Sequence, residues 1–147
     1  MSCDCAEIEA IKQLKARYFR FVDTKNWSGL RTVFTDNVTA QVFKAPDAGP
    51  EAFEYPATHG ADVLLKFVSN ALIGALSIHH GHMPEIELLS DHRAKGIWAM
   101  EDIVRFPDGS VLHGWGHYHE HYEKQDGAWK IADLKLYRLR EEITPAP

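Results

Sequence analysis

Apolar residues recur at Ile8, Ile11, Leu14, Tyr18, Phe21 and Val22, the three- and four-residue spacing that lines one side of a helix. Residues from about 5 to 22 are therefore expected to form an amphipathic helix. Asp4 with Glu7 resembles a capping box at its start, and Lys12, Lys15 and Arg20 are expected on its wet side. Trp27, Leu30, Val33 and Phe34 predict a second, shorter helix that Thr35-Asp36-Asn37 stops, and Val38, Ala40 and Val42 then alternate as a first strand. Residues 44–60 carry Pro46, Gly49, Pro50, Pro56 and Gly60, a composition that predicts a long loop able to serve as a lid. A third helix is expected from about 61 to 76, with Val63, Leu64, Phe67, Val68, Ala71, Leu72 and Leu76 on its apolar side.

From Ile78 onward the period changes to two. Strands are expected at 78–90, 92–106, 111–124 and 129–140, joined by turns at Ser90-Asp91, Pro107-Asp108-Gly109-Ser110 and Gln125-Asp126-Gly127. Helices first and long hairpin-connected strands afterwards predict one α+β domain over residues 1–143, with helices on one face of the sheet. Residues 144–147, Thr-Pro-Ala-Pro, are expected to fray.

Alternation also assigns faces. In 92–106 the even positions His92, Ala94, Gly96, Trp98, Met100, Asp102 and Val104 form the inward side, while Arg93, Lys95, Glu101 and Arg105 lie on the other. Asp102 is the one carboxylate on that mostly apolar face, where an unpaired charge costs several kcal/mol, so a histidine or arginine partner is expected. In the last strand Arg138 is the single charge on the side it shares with Ala132, Leu134 and Leu136.

Composition narrows the chemistry. The 147 residues are 45% apolar and 25% charged, and 16 Lys and Arg against 21 Asp and Glu leave a net charge of −5. A nucleic-acid backbone or an anionic membrane is thus not an expected partner. No basic segment leading into an apolar run opens the chain, so a cytoplasmic address is expected. The two cysteines, Cys3 and Cys5, stand too close for a favourable disulfide and have no second cluster to complete a zinc site. Histidine is enriched, in His79, His80 and His82 and again in His113, His117, His119 and His121. His117, His119 and Glu123 fit part of a cupin metal motif, but its flanking glycines are missing, and no metal is expected. Serine-hydrolase elbows, dinucleotide and phosphate loops and HExxH are absent. What remains is an acid–base set of Tyr, Asp and His around a pocket with aromatic and aliphatic walls.

The opening Ile11-Lys12-Gln13-Leu14-Lys15-Ala16-Arg17-Tyr18-Phe19-Arg20, with Asp23, Trp27, Leu30 and Phe34-Thr35-Asp36, resembles that of SnoaL-like proteins of the nuclear transport factor 2-like superfamily. The ending, Gly116-His117-Tyr118-His119-Glu120-His121-Tyr122 with Asp126-Gly127-Ala128-Trp129-Lys130-Ile131, is similar to that family's last hairpin. The nearest branch is the one containing scytalone dehydratase, bile-acid dehydratase and hexachlorocyclohexane dehydrochlorinase. The resemblance implies a cone-shaped half-barrel: a curved antiparallel sheet with three N-terminal helices on its concave face, enclosing a pocket. It also implies no cofactor, a small-molecule substrate, and a homo-oligomer, dimer or trimer.

By the same resemblance the branch's aspartate falls on Asp23, its tyrosine on Tyr18 and its histidine on His79, with Asp102 as a second acidic partner. Its final-strand arginine falls near Leu134, apolar here, which leaves Arg138 on the same face to stand in. Alternation with Ile86 and Leu88 turns His80 and His82 inward instead, unless Gly81 and Pro84 bulge the strand. His79 is the preferred base and His80 the reserve, with His80, Trp98, Met100, Tyr118 and Arg138 expected around the substrate. Tyr18 serves equally well as core and Asp23 as a turn cap, although a carboxylate at a helix C-terminus opposes the dipole. The expected function is a cofactor-independent lyase, dehydratase-like, acting on a small, mostly apolar cyclic or aromatic molecule. The alternatives are an isomerase or polyketide-cyclase-type enzyme and a non-catalytic binding module.

Overall fold

The computed structural model describes residues 3–49 and 54–147. Helix α1 (Asp4–Asp23) buries Ile11, Leu14, Lys15 and Val22. Asp4 and Glu7 lie in its first turn, where they complement the positive end of the dipole. No capping box forms: Cys3 is the N-cap without a side-chain bond, and Glu7 instead accepts from Lys124 Nζ at 2.8 Å and Trp129 Nε1 at 2.5 Å. The short α2 (Trp27–Arg31) starts at Asn26, whose side chain accepts from the Gly29 N–H. It ends before Phe34, which opens strand β1 (Phe34–Phe43).

The stretch expected to be loop contains a strand, β2 (Tyr55–His59), paired antiparallel with β1 at the edge of the sheet. Pro56 is tolerated there because an edge strand needs only one set of ladder bonds. The remainder of the expected lid includes 50–53, outside the described residues. Helix α3 (Ala61–Ala71) ends sooner than its apolar pattern suggests, and the chain turns through Gly74 at φ +68°. Four long strands follow: β3 (Leu76–Ser90), β4 (Arg93–Arg105), β5 (Val111–Gln125) and β6 (Ala128–Thr144). The last of these runs past its expected end at 140 to Thr144, the first residue of the tail expected to fray.

The strands form one open sheet in the order β2-β1-β6-β5-β4-β3. All neighbours are antiparallel except β1 and β6, which run parallel, so the sheet is mixed. Its buried face packs against all three helices, with Leu14, Leu30 and Leu64 in the same cluster as Met100, Leu112 and Leu134. The architecture is the α+β half-barrel expected.

One irregularity settles which histidine faces the core. His82 pairs with Ala99 and Glu85 with Ile97, so three steps on β3 oppose two on β4. This one-residue bulge at Met83-Pro84 reverses the inward phase. Ser77 and His79 face inward before it, Ile86 and Leu88 after it, and His80 is left exposed.

Lys15 corrects the helix assignment outright: it has no exposure, and its ammonium pairs with Glu120, itself 1% exposed. Tyr122 donates to the other Glu120 oxygen at 2.6 Å and accepts from Trp98 Nε1 at 2.9 Å. Burial lowers Lys15 to about 8, with Glu120 opposing that shift. Removing one partner of such a pair strands a charge, so Lys15→Met is expected to cost about 3–5 kcal/mol in urea unfolding, and Lys15→Met/Glu120→Gln to recover most of it. Between pH 8 and the ordinary lysine value of 10.5 the unfolded chain holds the proton that native Lys15 has lost. The stability of the wild type relative to the double variant should therefore rise with pH from 8 to 10, by at most about 1.4 kcal/mol per unit.

Candidate active site

Asp23 closes α1, and the sheet edge supplies what a carboxylate needs at a helix C-terminus. Strand β3 is the edge, so backbone N–H groups on its outer side lack a strand partner. Asp23 Oδ2 accepts from the His79 N–H at 2.8 Å. Oδ1 lies 2.6 Å from His79 Nδ1 and accepts from Ser77 Oγ at 3.0 Å. Three bonds from one strand thus fix both the carboxylate and the imidazole. Gly81 keeps the strand close to α1, because a Cβ there would lie 2.5 Å from Phe19 Cε2.

Sheet register assembles the rest. His79 stands opposite Asp102, Asp102 opposite Gly114, and Gly116 opposite Arg138. Arg138 donates through Nη1 and Nη2 to the two Asp102 oxygens, both at 2.8 Å. His79 Nε2 lies 3.8 Å from Asp102 Oδ2, too far for a hydrogen bond but near enough for charge to be felt. Burial alone would raise the Asp102 carboxyl; the guanidinium overrides it and holds Asp102 below the usual carboxylate range. A side chain at 114 is incompatible with this fork: its Cβ would fall 1.9 Å from Arg138 Nη1 and 2.5 Å from Asp102 Oδ1. Behind it, Glu141 Oε1 lies 3.6 Å from Arg138 Nε.

His79, Asp102 and Arg138 border a cavity of about 430 Å³ whose walls are mostly aliphatic and aromatic. Tyr18 from α1 and Tyr118 from β5 also line it, edge to face with centroids 6.0 Å apart. Burial raises both phenols well above their ordinary value, so both are protonated donors at neutral pH. Tyr55 from β2 adds a third hydroxyl, pushed up to about 12 by burial against the opposing pull of Arg138.

The residues expected from sequence thus separate. Tyr18, His79, Asp102, Tyr118 and Arg138 meet at the cavity, and Asp23 stands behind His79, outside the lining. Three do not line it. His80 is exposed because the bulge leaves the odd positions inward at this point of β3. Trp98 is buried at 7% exposure, with its N–H committed to Tyr122, and Met100 is buried at 3% in the core. On β5 the outward positions take His117, His119 and His121 while Tyr118, Glu120 and Tyr122 turn inward. Among the described residues no group of three or more His, Cys, Asp or Glu is placed to hold a metal ion. Ser77, Tyr55, Glu141 and Gly114 escaped the sequence argument. Only Gly114 carried a usable signal, as a glycine at an inward strand position.

Gly114→Ala is expected to displace the Arg138 fork and to lower stability by roughly 1–3 kcal/mol in thermal unfolding. Arg138→Met should raise the midpoint of acid unfolding followed by circular dichroism. The stabilisation from Asp102 is present above its unfolded value near 3.8 and is lost as pH falls through its lowered native value, a protection the variant lacks.

A family model for the SnoaL-like domain matches residues 4–135. A curated relative, the "Probable cyclase FGR4" of Gibberella zeae, is 27% identical over 139 residues, covering 88% of this chain and 89% of its own. Among solved structures, hexachlorocyclohexane dehydrochlorinase LinA type 2 superposes with a TM-score of 0.77 at 20% identity, over 97% of this chain and 92% of the other. A scytalone dehydratase-like protein of Novosphingobium aromaticivorans gives 0.75 at 21%, over 97% and 93%. These structures share the fold. With a family match spanning nearly all of its elements, the chain belongs to the SnoaL-like domain family, within the nuclear transport factor 2-like superfamily.

Proposed function

We propose that the protein is a cofactor-independent lyase that removes water, or another small leaving group, from an uncharged and mostly apolar cyclic or aromatic molecule. The observation that carries this reading is the 2.6 Å contact of Asp23 with His79 Nδ1 at the wall of an apolar cavity. Asp23 accepts a hydrogen bond from Nδ1–H and so holds the tautomer whose Nε2 lone pair is basic. Nε2 then takes a proton from substrate carbon, the C–H electrons form the new double bond, and the C–O bond to the neighbouring carbon breaks with its electron pair on the leaving oxygen, which takes the proton from the imidazolium to depart as water. The imidazolium created lies between two carboxylates, Asp23 and Asp102. Tyr18 and Tyr118 donate to the substrate oxygen on which negative charge develops. An uncharged substrate fits because the Arg138 cation facing the cavity is already matched by Asp102.

The cyclase relative favours a second reading in the same pocket, in which the abstracted proton is returned at another carbon or the carbanion closes a ring. Both begin with abstraction by His79 and differ in mass balance.

A screen of cyclic hydroxy-ketones and benzylic alcohols, with products followed by mass spectrometry, tests both. Elimination gives loss of water; isomerisation or cyclisation leaves the mass unchanged. His79→Ala should lower kcat by about 10²–10⁴-fold, the usual worth of a general base. Asp23→Asn should lower kcat as well, with KM little changed. Ligands that bind without turnover, with affinity indifferent to His79→Ala, would identify a binding module instead.

A further inference from the structure

Buried ion pairs seldom stabilise a fold more than apolar side chains of the same size would, so the Lys15–Glu120 pair is not accounted for by stability. Where the ammonium sits is more informative. Lys15 Nζ lies 3.9 Å from the centroid of the Tyr18 ring and 3.5 Å from that of Tyr118. These are the two phenol rings that meet edge to face at the cavity wall. Lys15 itself does not line that cavity and has no exposure. Its counter-ion is held in turn, since Tyr122 donates to the second Glu120 oxygen and Trp98 to Tyr122. The network therefore pins a cation against the faces of two phenols.

We propose that Lys15 is a positioning residue of the pocket: its ammonium polarises the Tyr18–Tyr118 hydroxyl pair and makes it a stronger hydrogen-bond donor to a carbonyl or departing oxygen in the cavity. A cation on a ring face draws electron density from the ring, and from the phenolic oxygen conjugated with it, so the O–H donates more strongly. The Glu120 carboxylate pulls the Tyr18 phenol the opposite way, and Lys15 stands between them in direct contact with the ring. The inference rests on the two tyrosines being the anchor of the proposed function, but not on turnover.

The probe is a neutral bicyclic ketone, 1-tetralone, labelled with 13C at its carbonyl, with binding and carbonyl infrared frequency measured together. Bound to the wild type, the band is expected to move to lower frequency than in water, and Tyr18→Phe to reverse much of that shift. Lys15→Met/Glu120→Gln removes both charges and strands neither, so it remains folded if the single variant does not. It should also reverse part of the shift and weaken binding by roughly 3–10-fold. In the Tyr18→Phe background the same pair of substitutions should have a smaller effect, because one polarised donor is already gone. An unchanged band in Lys15→Met/Glu120→Gln, with the Tyr18→Phe effect intact, overturns the role of Lys15 and leaves the lyase reading standing. A band blind to Tyr18→Phe, or a ketone that does not bind, removes the tyrosine anchor and overturns the role of Lys15 with it.

Discussion

Everything at the pocket hangs on one carboxylate at the wrong end of a helix. Asp23 faces the negative pole of α1, where its charge is disfavoured by about 0.3–1 kcal/mol unless other groups compensate. The compensation comes from β3: a backbone N–H, a serine hydroxyl and an imidazole N–H all converge on it. Helix and sheet edge are thereby locked in register, and His79 is turned by the same bonds. A sheet closed at that side would have had no free N–H to offer, so the open edge of the half-barrel is itself a condition of the site.

A second theme is that the interior charges are matched in separate sets. Asp102 with Arg138 sits at the cavity wall, Glu141 flanks the guanidinium from behind, and Lys15 with Glu120 lies beneath the tyrosines. Each pair costs desolvation, and each is hydrogen-bonded closely enough to offset part of that cost. The effect on the cavity is that the groups left to meet a substrate are hydroxyls and one imidazole, set in apolar walls. Such a surface suits a neutral molecule in which charge appears only during reaction, where preorganised donors act most strongly.

Two misreadings at the sequence level have definite physical origins. Lys15 looks like a wet-face residue because lysine is rarely buried. Yet Ile8, Ile11, Lys15, Tyr18 and Val22 follow an unbroken three–four spacing, and that periodicity, taken without regard to residue type, places Lys15 on the inner stripe. Glu120, between two inward tyrosines, was its matching signal. β2 looks like loop because Pro56 and the surrounding glycines and prolines dominate its composition, whereas an edge strand paired on one side accommodates a proline.

The sequence by itself determined the order of the elements other than β2, the α+β class and the inward phase of β4, because period and side-chain polarity are local properties read directly along the chain. It also placed Tyr18 and Asp23 one helical turn and a fraction apart on α1, and Asp102 on an inner face. Only the tertiary structure decided that His79 rather than His80 faces the cavity, since a one-residue bulge reverses a strand's phase and depends on pairing with β4. Only it decided that Arg138 is spent on Asp102, that Trp98 and Met100 lie behind the wall rather than in it, and that Lys15 meets Glu120 across 105 positions of chain. Those outcomes are set by contacts between strands and helices far apart in sequence, where register and desolvation act and no local pattern records them.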